Sequence, residues 1–155
     1  MATFLLDSVM KMINAFDGEH RFLSNFWTAY VEYDHNVYKS VEHAFQAAKT
    51  LDYDWRAKIH YARTASEAKK LGRRAPLRED WEEIKVDVMK KLLSEKFQIP
   101  ELRKKLLETG DHELVEGNWW GDTFWGVCKG IGHNMLGKLL MEVREEIRNE
   151  INISC

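Results

Sequence analysis

Cysteine and proline are both scarce in this 155-residue chain, with two residues of each. Cys128 and Cys155 cannot supply a framework of several disulfides, which excludes the small disulfide-stapled class of secreted domains and favours a reducing compartment. Only Pro76 and Pro100 interrupt the chain, and neither a Pro-rich linker nor a low-complexity tract is present.

Long apolar runs are missing as well, and so is a strong excess of one charge. The longest apolar run is far shorter than the roughly 20 residues that cross a bilayer. The start Met-Ala-Thr-Phe-Leu-Leu-Asp lacks the basic and hydrophobic regions of a signal peptide. A formal net charge of -2 gives no bulk attraction to nucleic acid or to a membrane, although a local basic patch can still exist. We therefore expect a cytoplasmic protein without a membrane partner.

The length and composition of the chain are those of one globular domain. Hydrophobic residues make up 45% and charged residues 31% of the sequence, and 155 residues are enough to bury a core. We expect a single domain over residues 1–155. Its predicted class is α+β, mostly α-helical with a few short antiparallel strands.

Local patterns place most of the helices and one hairpin. Residues 1–20 are weakly informative, residues 22–23 look β-like, and residues 29–33 and 37–38 predict a hairpin. Helices are predicted over 41–49 with Ser40 as N-cap, 55–62 after Asp54, 65–72 between the capping box Thr64–Glu67 and Gly72, 80–97, 100–110, and from Asn134 onward, with the last residues frayed. A short strand is predicted within 112–117, and residues 118–127 form an irregular loop.

The helix predicted at 41–49 carries three functional side chains on one edge. At 100° per residue, Glu42, Gln46 and Lys49 border an arc of apolar residues. Glu42 and Lys49 lie about 10 Å apart along the axis, so their long side chains can converge on one ligand atom. Taken alone, the helix favours a simpler interpretation, a solvated polar edge on a core helix.

The second notable stretch is the aromatic and glycine-rich loop around Asp122. A carboxylate between Trp120 and Trp125 would lie among apolar rings, where its protonation could be shifted for chemistry. An Asx-turn explains Asp122 equally well. The two tryptophans can sandwich a base or ribose, although core packing is the commoner role of tryptophan.

Other chemical signals are weak. The Gly130-Ile131-Gly132 stretch lacks the spacing of a dinucleotide-binding motif. The six histidines show no paired ligand spacing and Cys128 has no second thiol nearby, so we expect neither a metal site nor a cofactor. Phosphate could be contacted by arginines, although most surface arginines have no such role; the candidates are Arg21, Arg63, Arg73 and Arg74.

Several segments together resemble the NADAR (YbiA-like) N-glycosidase family. They are FLSNF at 22–26, SVEHAFQAAK at 40–49, AKKLGR at 68–73, DTFWG at 122–126 and GHNMLGKLLMEVR at 132–144. The resemblance covers residues 16–148. It implies a single-domain YbiA-like fold and a hydrolase that cleaves the bond between a ribose and a base nitrogen, without a cofactor.

The resemblance implies two substrate classes. One is ADP-ribose attached to guanine, free or within nucleic acid, which we take as the first expectation. The other comprises the ribosylamino-pyrimidine phosphates of early riboflavin biosynthesis. Oligomeric state is not indicated by the sequence.

The resemblance also implies roles for individual residues. Lys49 would attack the anomeric carbon and form a Schiff base, Glu42 would act as general acid and base, and Asp122 would orient ribose or water. The implied substrate-binding residues are Asn25, Ser24, Arg21, Trp125, Gly126, Trp120, Asn134 and Arg73.

Three alternatives stay open at this point. Glu42 and Asp122 could act as a carboxylate pair around an oxocarbenium-like transition state, with Lys49 only holding charge. The chain could instead be a non-catalytic module that binds ADP-ribose or nucleotides. It could also be a scaffold without a small-molecule site.

Overall fold

The structure is a computed structural model that describes residues 11–154. The chain forms two compact units. The central unit is Ser24–Ile99, and the terminal unit combines the flanking segments, up to Leu23 and from Pro100 onward. Residues 1–10, half of the weakly informative stretch 1–20, and Cys155 lie outside the described residues. The single domain over 1–155 stays a prediction.

Helices make up most of the regular structure, which confirms the predicted α+β, mostly helical class. Within residues 11–154 the helices are α1 (Val41–Ala48), α2 (Tyr53–His60), α3 (Ala65–Arg74), α4 (Trp81–Lys96), α5 (Pro100–Glu108) and α6 (Met135–Ser154). The strands are β1 (Met12–Ile13), β2 (Val31–Tyr33), β3 (Asn36–Tyr38), β4 (Glu113–Leu114), β5 (Gly117–Asn118) and β6 (Val127–Cys128).

The predicted hairpin opens the central unit. Strands β2 and β3 pair antiparallel, with Val31 opposite Tyr38. The two turn residues, Asp34 and His35, both have positive φ values of 48° and 69°. Such a pair of left-handed residues gives a turn that matches the right-handed twist of the strands.

Capping residues begin the next three helices, and two of the three were predicted. The Ser40 hydroxyl accepts a hydrogen bond from the N–H of His43, and the Thr64 hydroxyl accepts one from the N–H of Glu67. The prediction for α2 was wrong by two residues. Asp52, not Asp54, accepts hydrogen bonds from the first turn, so the helix begins at Tyr53.

Helix α1 is the centre of the central unit, because it packs against α2, α3, α4 and the hairpin. All eight of its residues are buried. The predicted polar edge is therefore not solvated. His43 shows how buried polar groups are satisfied: its Nε2–H donates to the carbonyl of Ala62 at 3.0 Å, so its Nδ1 accepts from the Ser40 hydroxyl at 2.7 Å.

Gly72 does not end α3 as predicted. The helix continues to Arg74, and Gly72 is buried in its interior. A Cβ at this position would lie 1.9 Å from Oε1 of Gln46. The glycine thus lets α1 and α3 approach closely, a reason that depends on a residue distant in sequence.

The terminal unit differs from the predictions in three details. Residues 22–23 belong to a 3-10 helix, Gly18–Leu23, and not to a strand. Strands β1 and β4 pair in parallel, as do β5 and β6. Within residues 11–154 the β2–β3 pair is thus the only antiparallel pair of strands, besides an isolated antiparallel bridge between Cys128 and Ile131. Helix α6 continues through Ser154, where frayed residues were expected.

A lysine lies in the core of the central unit. Lys96 is 0% exposed, and its Nζ donates to the carbonyl of Ser24 at 2.8 Å. Its Nζ also lies 5.2 Å from the centre of the Phe97 ring. Burial lowers the pKa of Lys96 to about 7, because the charged form loses its hydration. Separately, no helix within residues 11–154 is both long and apolar enough to cross a membrane.

We expect the protein to become more stable as the pH rises from 7 to 9, and the Lys96→Met variant to lack this part of the rise. Above pH 7 the folded chain has released the Lys96 proton, while the unfolded chain, with a pKa of 10.5, keeps it. Deprotonation therefore favours folding by up to about 1.4 kcal/mol per pH unit. Urea unfolding at pH 7, 8 and 9 measures the effect.

The control is Lys91→Met, which removes an exposed lysine from the same helix. It should keep the pH dependence of the unmodified protein. Parallel curves for the unmodified protein and Lys96→Met would contradict the prediction.

Candidate active site

The residues predicted from the sequence fall into two groups, one in each unit. The central unit holds Ser24, Asn25, Glu42, Lys49 and Arg73. The terminal unit holds Arg21, Trp120, Asp122, Trp125, Gly126 and Asn134.

Glu42 lies in the first turn of α1 and is only 7% exposed. Its N–H donates to the carbonyl of Asn25 at 3.0 Å. Its carboxylate oxygen Oε1 accepts a hydrogen bond from Nε2 of Gln46 at 2.7 Å.

Lys49 follows directly after α1 and is half-buried. Burial is the main reason that the pKa of Lys49 is lowered, and the charge of Glu42 opposes the shift. The positive charges of Arg73, Lys69 and Lys85 lower this pKa further. The amine therefore releases its proton more readily than an ordinary lysine, as a nucleophile at neutral pH requires.

Arg78 fixes the backbone at Lys49. The N–H of Arg78 donates to the Lys49 carbonyl at 2.8 Å, and its guanidinium donates to the Ala48 carbonyl at 3.4 Å. The same guanidinium pairs with Asp80, with an Nε to Oδ1 distance of 2.6 Å. These contacts satisfy carbonyls that a helix end leaves without partners.

Asn25 and Ser24 have different environments. The side-chain amide of Asn25 donates only weakly, to the sulfur of Met89 at 3.6 Å, and its buried Oδ1 has no hydrogen-bond partner within residues 11–154. Ser24 uses its hydroxyl to accept from the N–H of Phe26 at 3.1 Å. The structure thus shows a buried acceptor without a partner on Asn25 and an internal role for Ser24.

Asp122 adopts the Asx-turn that the sequence allowed. Its Oδ1 accepts hydrogen bonds from the N–H groups of Phe124 and Trp125 at 3.2 and 2.9 Å. Asn118 holds the loop from the other side: it donates to the Asp122 carbonyl at 2.8 Å and accepts from the Asp122 N–H at 3.0 Å. The turn explains the residue structurally, and its catalytic role stays a prediction.

The residues after Asp122 are tied to the start of α6 by backbone hydrogen bonds. The carbonyls of Trp125 and Gly126 accept from the N–H groups of Leu136 and Asn134 at 2.9 and 3.2 Å. Gly126 has no room for a side chain, since a Cβ would lie 1.8 Å from Oε2 of Glu116. These bonds hold Trp125 in a fixed loop.

Asn134 has a structural role that the sequence did not indicate. Its Oδ1 accepts from the N–H of Glu116 at 2.9 Å, and its Nδ2 donates to the Leu114 carbonyl at 2.9 Å. Asn134 was predicted to cap α6 and to bind substrate with this amide. The amide binds the strand region before the loop, and the substrate-binding role of Asn134 stays a prediction.

Trp120 and Arg21 are on the surface of the terminal unit. Trp120 is 50% exposed and packs edge to face against Trp119, which is 85% exposed. Arg21 is exposed at the end of the 3-10 helix. Both positions are accessible to a ligand, and the structure does not test whether they bind one.

Lys69 and Lys85, which lower the pKa of Lys49 together with Arg73, were not identified from the sequence. Lys69 lies four residues before Arg73 on α3, so the two share one face of that helix, and Lys85 lies on α4. The four-residue spacing was a signal for the first, whereas nothing local to Lys85 indicated it. No group of three or more His, Cys, Asp or Glu side chains in the described part of the chain could hold a metal ion.

Comparison with known proteins gives consistent results. The NADAR domain family matches residues 13–148. N-glycosidase YbiA of Shigella flexneri is 39% identical over 148 residues, covering 93% of this chain and 91% of that protein. Riboflavin biosynthesis protein VVA0006 of Vibrio vulnificus is 40% identical over 85% of this chain, which corresponds to 37% of that longer protein. The NMR structure of Escherichia coli YbiA matches with a TM-score of 0.77 at 35% identity, covering 91% and 90% of the two chains.

We expect Arg73→Gln to raise the pKa of Lys49, because it removes one of the positive charges that disfavour the protonated amine. NMR titration of ¹³C-labelled lysine side chains measures this pKa, with Lys49→Arg to assign the signal. Arg74→Gln is the matched control: the guanidinium of Arg74 lies 5.5 Å from the centre of the Trp55 ring. Equal shifts in both variants would contradict the prediction.

We expect Asp122→Asn to keep the fold but to lose turnover if the carboxylate orients ribose or water. Asparagine retains Oδ1 and so accepts the same two N–H hydrogen bonds, whereas Asp122→Ala loses them at a cost of about 1 kcal/mol or more. Urea unfolding and product formation are measured on both variants. Full turnover by Asp122→Asn would show that the residue serves the turn alone.

Proposed function

This chain belongs to the NADAR domain family and is an N-glycosidase, and we propose that it cleaves the bond between a phosphate-bearing ribose and a base nitrogen through Lys49. The observation that carries the proposal is the pairing of a half-buried amine with a buried carboxylate at the two ends of α1. A purely structural helix gains nothing from either burial, since each disfavours the charged form.

The proposed reaction begins with a bond between the neutral Lys49 amine and the anomeric carbon of the ribose. The bond from that carbon to the base nitrogen breaks, and the departing nitrogen receives a proton from Glu42. The attacking nitrogen carries a positive charge once the new bond has formed. As the ring oxygen leaves the same carbon, this nitrogen gives it one of its two protons, which leaves a protonated imine on Lys49. Water adds to the imine carbon, Glu42 accepts its proton, and the free amine and the ribose are released.

Two features of the central unit bear on the substrate in this proposal: a buried acceptor on Asn25 and the positive charges around Lys49. Oδ1 of Asn25 is an acceptor without a hydrogen-bond partner among the described residues. The backbone carbonyl of the same residue accepts a hydrogen bond from the N–H of Glu42. The buried Oδ1 acceptor on Asn25 is a polar atom that the fold alone does not explain. The positive charges of Lys69, Arg73 and Lys85 around Lys49 suit an anionic substrate, and phosphate is the anion that ribosylated nitrogen compounds commonly carry.

The name of one relative favours a substrate of the riboflavin pathway. Riboflavin biosynthesis protein VVA0006 contains a segment 40% identical to this chain. A ribosylamino-pyrimidine phosphate has one phosphate and an amine on the anomeric carbon, which matches the proposed chemistry. We take this class as the first substrate candidate.

ADP-ribose attached to guanine is the second candidate, which the sequence put first. The charges that act on the Lys49 pKa are those of three cations, Lys69, Arg73 and Lys85, and of one carboxylate, Glu42. That amount of positive charge suits a diphosphate as well as a monophosphate.

The test is reductive trapping. With borohydride present during turnover, we expect a secondary amine that joins the sugar to Lys49, identified by mass spectrometry of peptides. Lys49→Ala should form no adduct and should lose activity by about 10³-fold or more, because no other group supplies the nucleophile. Lys70→Ala, which removes an exposed lysine from α3, is the control and should behave like the unmodified protein.

The other outcomes each select a different mechanism. Turnover without any adduct, with Lys49→Ala retaining much of its rate, would support direct attack by water with Lys49 only holding charge. Tight binding of ribosylated compounds without product would support a binding module. Incubating both substrate classes side by side, with free and DNA- or RNA-linked ADP-ribosylguanine, identifies the substrate.

A further inference from the structure

Gln46 is buried beside the carboxylate of Glu42 and has no part in the proposed reaction. It is 4% exposed and lies one helical turn after Glu42 on α1. Its Nε2 donates to Oε1 of Glu42 at 2.7 Å. A hydrogen bond to a charged acceptor at this distance is among the stronger ones in proteins.

The other end of the Gln46 amide is held by packing against Gly72. A Cβ on Gly72 would lie 1.9 Å from Oε1 and 2.7 Å from Cδ of Gln46. Any residue other than glycine would therefore displace the amide. Glycine is unfavourable inside a helix, so its presence at this contact indicates that the close approach of the amide is needed.

Packing alone does not explain an amide at position 46. Oε1 of Gln46 is buried and has no hydrogen-bond partner within residues 11–154. A buried acceptor without a partner is costly, and an apolar side chain of similar size would fill the same space without that cost. The reason for an amide at this position is therefore its donor end, which donates a hydrogen bond to Glu42.

We propose that Gln46 is a positioning residue for Glu42: wedged against Gly72, its amide N–H holds the carboxylate in one orientation towards the reacting nitrogen. This inference rests on the proposed role of Glu42 as general acid and base. The cations in this region are Lys49 on α1, Lys69 and Arg73 on α3, and Lys85 on α4. None of them is changed in Gln46→Met, Gly72→Ala or the control Gln98→Met.

The first test is Gln46→Met, which keeps the size of the side chain and removes the donor. We expect the midpoint at which Glu42 takes up a proton to move to higher pH, because the ionised form loses a hydrogen bond. NMR titration of ¹³C-labelled glutamate measures the midpoint without substrate, with Glu42→Gln to assign the signal. We also expect kcat to fall about 10- to 100-fold with little change in KM, the scale typical of residues that orient a functional group.

A second variant and a control complete the design. Gly72→Ala keeps the amide but displaces it, so the midpoint should move in the same direction. Gln98→Met changes an exposed glutamine and should leave the midpoint unchanged. Thermal unfolding of each variant shows which of them are folded at the assay temperature.

The outcomes separate this inference from the proposed function. An unchanged Glu42 midpoint in whichever of Gln46→Met and Gly72→Ala is folded would overturn the positioning role, whatever the activity. A raised midpoint together with full activity of Lys49→Ala would uphold the positioning of Glu42 and overturn Lys49 as nucleophile. A raised KM with unchanged kcat in Gln46→Met would also overturn the inference, since it would place the residue in substrate binding.

Discussion

The structure of the central unit depends on the complete burial of α1. A helix enclosed on every side has no solvent to satisfy its polar side chains, so each of them needs a partner inside the protein. His43 forms hydrogen bonds with the Ser40 hydroxyl and the Ala62 carbonyl, and the Glu42 carboxylate accepts one from Gln46. The neighbouring elements are therefore selected for hydrogen-bonding groups and close approach as well as for apolar surface.

The same burial also lowers the pKa of Lys49. Lys49 loses hydration at the end of α1, and positive charges on two neighbouring helices favour its neutral form. Glu42 counteracts this effect, so the amine is balanced between two opposing influences. Lys96 is more deeply buried than Lys49, and burial alone lowers its pKa to about 7. Its amine donates a hydrogen bond to the Ser24 carbonyl and has no role in the proposed reaction. A shifted pKa thus identifies a functional lysine only together with a neighbouring carboxylate and an anion-binding environment.

Features encoded within a few residues could be predicted from the sequence, and features that depend on distant residues could not. The caps at Ser40 and Thr64 and the β2–β3 hairpin are local, and the structure confirms them. Gly72 looked like a helix end because its true reason, the Gln46 amide, lies 26 positions away. The parallel pairing of β1 with β4 joins segments about a hundred residues apart, which no local pattern reveals. The spacing of Glu42 and Lys49 was visible, whereas the depth of their burial was not.

Many helices end in a glycine, which adopts the left-handed conformation that most side chains avoid. Helix α1 does not need one, since Arg78 binds the carbonyls of both Ala48 and Lys49. The carbonyls at the end of α1 are thus satisfied by Arg78, which lies about 30 positions later in the chain. The position after the helix can therefore carry the long side chain of Lys49 in place of a glycine. Because its main chain is anchored, only rotations of the side chain decide where the amine can reach.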